Sequence, residues 1–365
     1  MPDYEGRRER LRRILLKESS RSILISCPSN VTYLTGFSGD SSYFWMDRDS
    51  VKLVSDARFQ EQISEECPGL DVFIRKSTVT ILAAAAKVIR LSKPSQILVE
   101  GNSLSKSDFD KLVDEIPKVS VQSSKGLVES LRERKDSDEL MAIQRAINIA
   151  QEAFLALRKC LKPDMTEKQI ADDLEYAIRC AGGTGSSFRT IVGVGPRAAL
   201  PHGIPSSRKI SESPFVLIDW GAKEELYVSD LTRVLATGTL PAKFVRIYHV
   251  VLAAQEAAIR AIRPGALMSE IDAAARSTIE QAGFGKRFTH GLGHGFGLQV
   301  HESVRLARGQ DRKLESGMVI TIEPGIYIPG WGGVRIEDDC LVTNKGCKVL
   351  STLPRELDAN TVDLS

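Results

Sequence analysis

The feature that most restricts the fold is a repeat at an offset of 101 residues. Lys162-Pro163 corresponds to Arg263-Pro264, Ile170 to Ile271, Ile178 to Ile279, and Ala181-Gly182 to Ala282-Gly283. Thr166 followed by Gln169 is a capping box that opens a helix in the first copy, and Ser269 is the expected N-cap in the second. Apolar strands and turn-rich connections follow at similar distances in both copies. Two copies exclude a solenoid and predict a duplicated α+β unit. Just ahead of it, Leu140, Ile143, Ile147, Ala150, Phe154 and Leu157 recur at spacings of three and four. That spacing predicts a long amphipathic helix, with acids at its N-terminus where the helix dipole favours them.

The preceding residues alternate between helix and strand. Helical patterns lie at Arg7–Lys17, Arg58–Glu66 and Val79–Leu91. Short apolar strands lie at Ser22–Ser26, Tyr43–Met46, Lys52–Ser55, Val72–Ile74 and Gln96–Val99. An α/β layer domain is expected over residues 1–126, with a second domain over 127–365, separated near the charged run Arg132–Glu139. Lys and Arg number 49 against 47 Asp and Glu, a net charge of +2. So even a balance gives no electrostatic case for a nucleic-acid or membrane partner. No stretch approaches the ~18 apolar residues of a membrane span. Ile14-Leu15-Leu16 is too short for a signal-peptide core, and acids at Asp3, Glu5, Glu9 and Glu18 argue against a transit peptide. A cytoplasmic location is expected. The six cysteines form no C-x-x-C pair, which disfavours a zinc ribbon, a thioredoxin-like motif or a disulfide framework.

Chemistry concentrates in the duplicated part. Phe215–Ile218 runs into Asp219, and after a turn a second strand carries Asp230. A hairpin centred between Glu224 and Glu225 sets these two acids directly opposite each other. A hairpin centred on Gly330 does the same for Glu323 and Glu337. Opposed like charges are destabilising unless a cation lies between them. Between the hairpins lies Thr289–Gly297, whose alternating glycines exclude a helix and permit close backbone approach. Three of the five histidines, His290, His294 and His301, fall in or beside it. The G-x-G-x-x-G pattern fails at Phe296, and neither a P-loop nor H-E-x-x-H is present. Four carboxylates and one imidazole form an oxygen-rich site for two divalent cations. Mn²⁺ or Co²⁺ suit it better than thiolate-seeking metals, with Zn²⁺ as an alternative. Two such ions would acidify a water at neutral pH, and hydrolysis follows.

At these residues the chain resembles the pita-bread metallopeptidases, the superfamily of Xaa-Pro aminopeptidase, Xaa-Pro dipeptidase (prolidase), methionine aminopeptidase and creatinase. The motifs are Ser229-Asp230-Leu231-Thr232-Arg233, Gly293-His294-Gly295, Val300-His301-Glu302, Ile322-Glu323-Pro324-Gly325 and Gly333-Val334-Arg335-Ile336-Glu337-Asp338. The first domain is similar to the creatinase N-terminal domain through Asn30–Phe37 and Asp56-Ala57-Arg58-Phe59, which favours the proline-directed branch. The resemblance implies a pita-bread catalytic domain with Asp219, Asp230, His294, Glu323 and Glu337 as metal ligands, Asp230 and Glu337 bridging. It makes Glu323 the proton shuttle and His301 the group that stabilises the tetrahedral intermediate. His202 would contact substrate and share in catalysis. His290, Arg305, Tyr327 and Arg335 would complete the substrate pocket, Arg335 also lying beside the ligands. It further implies a homodimer acting on short peptides with proline in second position.

Three positions depart from the family pattern: Val304 where proline is frequent, Arg189 where an acid is usual, and Arg197 where asparagine is common. None is a ligand, so they bear on substrate preference. Xaa-Pro aminopeptidase is the leading expectation and Xaa-Pro dipeptidase the alternative, supported by Arg305 at a position where some prolidases bind a dipeptide carboxylate. A creatinase-like hydrolase and a non-catalytic binding protein are disfavoured by the intact set of five ligands.

Overall fold

The computed structural model describes residues 2–18 and 20–364. The chain divides into two compact units, Met1–Arg132 and Glu133–Ser365. In the first, a six-stranded mixed sheet runs in the order Val72–Arg75, Val51–Asp56, Tyr43–Met46, Ile23–Ile25, Gln96–Glu100, Ser120–Ser124. The helix Ile81–Ser92 lays Leu82, Ala85 and Ile89 against Leu24, Trp45 and Val54 of the sheet. The helix Leu127–Arg132 belongs to this unit.

In the second unit the repeat is structural. The helices Glu167–Cys180 and Met268–Gln281 are both 14 residues long, and every boundary maps at the same offset. The preceding helices, Ser137–Cys160 and Ala242–Ala261, have the equivalent C-caps Leu161 and Ile262. The capping box at Thr166 forms as expected. Its counterpart differs: the second N-cap is Leu267, and Ser269 lies within the helix, its Oγ 3.2 Å from Asp311 Oδ1.

Each copy packs its helix pair on a three-stranded antiparallel sheet. The first sheet orders Leu231–Ala236, Phe215–Trp220, Ile191–Val194, and the second Val319–Ile322, Asp338–Val342, Cys347–Val349. Strands buried on both faces read as continuous apolar runs, and Phe215–Trp220 is buried throughout. Trp220 stacks on Phe154 at 4.2 Å between ring centroids and donates to the Ala150 carbonyl, so its one polar atom is satisfied inside the core. The two sheets touch where Thr232 bridges Glu337. Among the described residues, no helix is long and apolar enough to cross a membrane.

Candidate active site

Five acidic and imidazole side chains converge where the two copies meet. Asp219 lies in the central strand of the first sheet, opposite Ile191 on one side and Thr232 on the other. The expected direct opposition of Asp219 and Asp230 does not occur. The turn is Glu225-Leu226, both at positive φ (43° and 72°), which sets Glu224 opposite Tyr227 and moves the register by two residues. A two-residue shift preserves side-chain parity, whereas a shift of one would have reversed it. Asp230 therefore still points into the site, its backbone N–H donating to Asp339 at 3.2 Å.

The second hairpin has the expected register. Its turn is Pro329-Gly330-Trp331, with Gly330 at φ 74°, and Gly325 pairs with Arg335. The ladder resumes in the same register with Ile322 opposite Asp338. Glu323 and Glu337 occupy the gap between the two ladder segments and face each other across it.

His294 enters from the glycine-rich segment, opposite Arg305 in a short two-stranded ladder. A Cβ on Gly293 would stand 2.0 Å from the Thr321 carbonyl oxygen, so only glycine lets this segment lie against the strand that leads to Glu323. Donor atoms of Asp230, His294 and Glu337 lie within 4.8 Å of one another. His294 Nε2 is 3.6 Å from Asp230 Oδ2 and 3.4 Å from Glu323 Oε1. Asp219 turns toward Arg335, with which it forms an ion pair.

Around these groups a second set of side chains fixes orientation. Thr232 donates to Glu337 Oε2 at 2.6 Å and accepts from Arg335 Nε at 3.0 Å. Thr321 accepts from the His294 N–H at 3.1 Å and donates to Glu323 Oε1 at 3.3 Å. Sequence reasoning gave neither threonine a role, although Thr232 lies within the Ser229–Arg233 motif. Each lies two residues along a strand from an acid already singled out, the spacing that puts side chains on one face. Tyr327 is buried, its hydroxyl 2.9 Å from both His290 Nε2 and Arg335 Nη1.

A cavity of about 850 Å³ opens onto the cluster. Its walls include His202, His290, His301, Arg305 and Arg335 as well as Asp219, Asp230, His294, Glu323 and Glu337. Tyr327 stands behind the wall and reaches the cavity through the groups it bonds. The His301 ring packs edge-on against His294, centroids 4.3 Å apart. Arg189 is exposed at the cavity. Arg197 is structural: it pairs at 2.7 Å with the fully buried Glu167, which also accepts from Val194, and together they hold the loop leading to His202. Val304 is buried beneath Gly295.

Electrostatically the cluster calls for cations. Burial, and then the Glu337, Asp219 and Glu323 carboxylates, raise Asp230 well above the usual carboxylate range. Burial, and then Glu323 and Asp219, do the same to Glu337. Burial pushes Glu323 up to about 7 and His294 down to about 3. Asp219 Oδ1 is buried without a hydrogen-bond partner. Clustered carboxylates, a neutral imidazole and an unpartnered carboxylate oxygen fit divalent metal.

Comparison with known proteins agrees. The pattern of Metallopeptidase family M24 matches residues 141–344, and that of the Creatinase/Prolidase N-terminal domain matches residues 7–134. The chain belongs to metallopeptidase family M24. It is a metallo-exopeptidase with a creatinase-type N-terminal domain and a pita-bread catalytic domain. An uncharacterized peptidase of Bacillus subtilis is 35% identical over 96% of this chain and 98% of its own. The Xaa-Pro dipeptidase of Pyrococcus furiosus is 34% identical over 96% and 99%. Among solved structures, the Xaa-Pro dipeptidase from Bacillus anthracis superposes with a TM-score of 0.93, at 35% identity over 97% and 99% of the two chains. The X-Pro aminopeptidase from Thermotoga maritima gives 0.88, at 33% identity over 95% and 99%.

Proposed function

We propose that this chain is a dinuclear Xaa-Pro dipeptidase. The sequence put the aminopeptidase first, but the relatives whose names state a substrate favour the dipeptidase. The observation that carries the choice is Arg305. Its guanidinium is exposed on the cavity wall, across a strand pair from His294, and has no ion-pair partner among the described residues. A planar, always-charged fork suits the free carboxylate of a dipeptide, which a longer peptide does not present there.

Asp219, Asp230, His294, Glu323 and Glu337 would hold two divalent ions, with Asp230 and Glu337 shared, and Mn²⁺ suits their oxygen-rich set. Bound there, the ions supply Lewis acidity and lower the pKa of a water. Glu323, on the cavity wall 3.4 Å from His294 Nε2, would accept a proton from the attacking water and pass it to the departing proline nitrogen. Burial, and then Arg305, lower the pKa of His301. It is therefore neutral near pH 7 and can donate one N–H to the oxygen that gains charge. His202 lines the same cavity, and the Arg335–Tyr327–His290 chain holds Asp219 in place.

Steady-state rates on Ala-Pro and Ala-Pro-Ala test the choice. The dipeptide is expected to be the better substrate, and Arg305→Ala to raise KM for Ala-Pro by about tenfold or more, the loss of one charge-assisted contact. Equal cleavage of the tripeptide, with Arg305→Ala silent, would return the reading to an aminopeptidase. Metal analysis separates both from a creatinase-like or non-catalytic protein, which would bind no ion.

A further inference from the structure

We propose that Lys135 is a positioning residue for His301, and that a buried Lys135–Glu302 ion pair sets the loop from which this histidine reaches the cavity. The inference rests on the role given to His301 above.

In sequence, Arg132–Glu139 reads only as a charged boundary between domains. In the structure four of its charges, Arg132, Glu133, Lys135 and Glu139, are buried, and Lys135 is paired with the buried Glu302. The Lys135 side chain is 1% exposed and that of Glu302 3%, with Nζ 2.6 Å from Oε2. The other oxygen of Glu302 accepts from the Leu298 N–H at 3.1 Å, and the Glu302 N–H donates to Gly295 O at 2.8 Å. The carboxylate of Glu302 thereby ties the start of the loop that bears His301, and its backbone N–H ties the end. A Cβ on Gly297 would lie 2.9 Å from Lys135 Cε and 3.0 Å from Glu302 Oε1, so the chain closes tightly over the pair.

Glu133 holds the other flank of His301. It accepts from Ser303 Oγ at 2.6 Å and from Arg312 Nη1 at 3.0 Å. The segment itself is anchored: Arg134 bridges Met318, and the Lys135 N–H donates to Gly317 O at 2.8 Å. Met318 immediately precedes the strand Val319–Ile322 that leads to Glu323. His301 and Glu323 are thus referenced to one short stretch of backbone. A buried ion pair is a weak source of net stability, because desolvation offsets most of the attraction. Its consequence here is geometric: residues 302 and 303, next to His301, have one placement.

The test is the double variant K135M/E302Q, which removes both buried charges and keeps an acceptor for Leu298. It is expected to load two metals and melt near the parent protein. Its kcat on Ala-Pro should fall about tenfold or more, as a displaced catalytic group requires, with KM within about twofold. In a His301→Ala background the same pair should cost nothing further, because it acts through His301. Ser303→Ala, which breaks only the tie to Glu133, should lower kcat without KM and serves if the double variant does not fold. Full kcat in a folded, metal-loaded variant overturns the proposal, and so do losses that multiply with His301→Ala. Full kcat in His301→Ala alone would instead remove the role of His301, and the proposal with it.

Discussion

Asp230 and Glu337 are the residues most opposed to their surroundings: both are buried, and other carboxylates surround each. The scaffold compels that proximity. Arg233, wholly buried, spends its five N–H donors on the carbonyls of Thr232, Glu337, Leu353 and Pro354 and on Asp338 Oδ1. The backbone of Glu337 therefore cannot retreat from its neighbours. Cations between the carboxylates convert repulsion into binding. A two-sided prediction follows for Asp230→Ala and Glu337→Ala. Each should reduce bound metal from two ions per chain to one or fewer, read by elemental analysis. Each should also raise the melting temperature of the metal-free protein, since one repelling carboxylate is gone. A variant that keeps two ions and full activity would falsify the assignment of that residue as a bridge.

At the scale of elements, the two hairpins show what was legible and what was not. Pro329-Gly330-Trp331-Gly332-Gly333 writes its turn in glycine, so the register that sets Glu323 against Glu337 could be read directly. Glu225-Leu226 takes left-handed backbone without glycine or asparagine, a choice that turn propensities do not suggest. The site survived the two-residue error because parity did. The edge strand Ser120–Ser124 escaped notice because its residues are mostly polar and exposed, leaving no alternation to detect. Lys135 escaped because nothing in a charged run distinguishes the buried lysine from the exposed Arg134 beside it. The helices of the repeat were legible because their apolar faces are periodic, and all of Ile143, Ile147, Ala150, Phe154 and Leu157 are buried. Gly293 gives the prediction at this scale. In Gly293→Ala the methyl group meets the Thr321 carbonyl, so the segment bearing His294 must move off the strand leading to Glu323. Overpacking of this kind costs about 1–3 kcal/mol. A lower melting temperature together with weakened metal affinity is expected, and unchanged affinity at lowered stability would show that His294 tolerates the shift.

Across the whole catalytic unit, the two copies of the repeat meet at the Thr232–Glu337 bridge, and the acids come from both. Charge at this seam should therefore register in the stability of the unit as pH changes. A carboxyl whose folded pKa stands above its unfolded value, near ~4, holds its proton more tightly when folded. The stability tied to it is complete below the unfolded pKa and is lost as pH rises through the folded one. Glu323, at about 7, and Asp230 and Glu337, raised well above the ordinary range, all act in this sense. His294, at about 3, and His290, at about 4, act oppositely. Their folded values lie below the unfolded ~6.5, so their contribution grows with pH up to that point and is flat beyond it. Between pH ~6.5 and ~8, above the histidines and below the range where thiols titrate, the raised carboxylates are the groups that still change. Metal-free protein, prepared with chelator, should therefore melt at progressively lower temperature from pH ~6.5 to ~8. With saturating Mn²⁺ the decline should disappear, because bound cations favour the ionised carboxylates and metal affinity itself rises as they lose protons. The measurement is a melting curve at half-unit pH steps with and without metal. A metal-free melting temperature that stays level or climbs across this range would mean that the four carboxylates are not held together in the absence of cations.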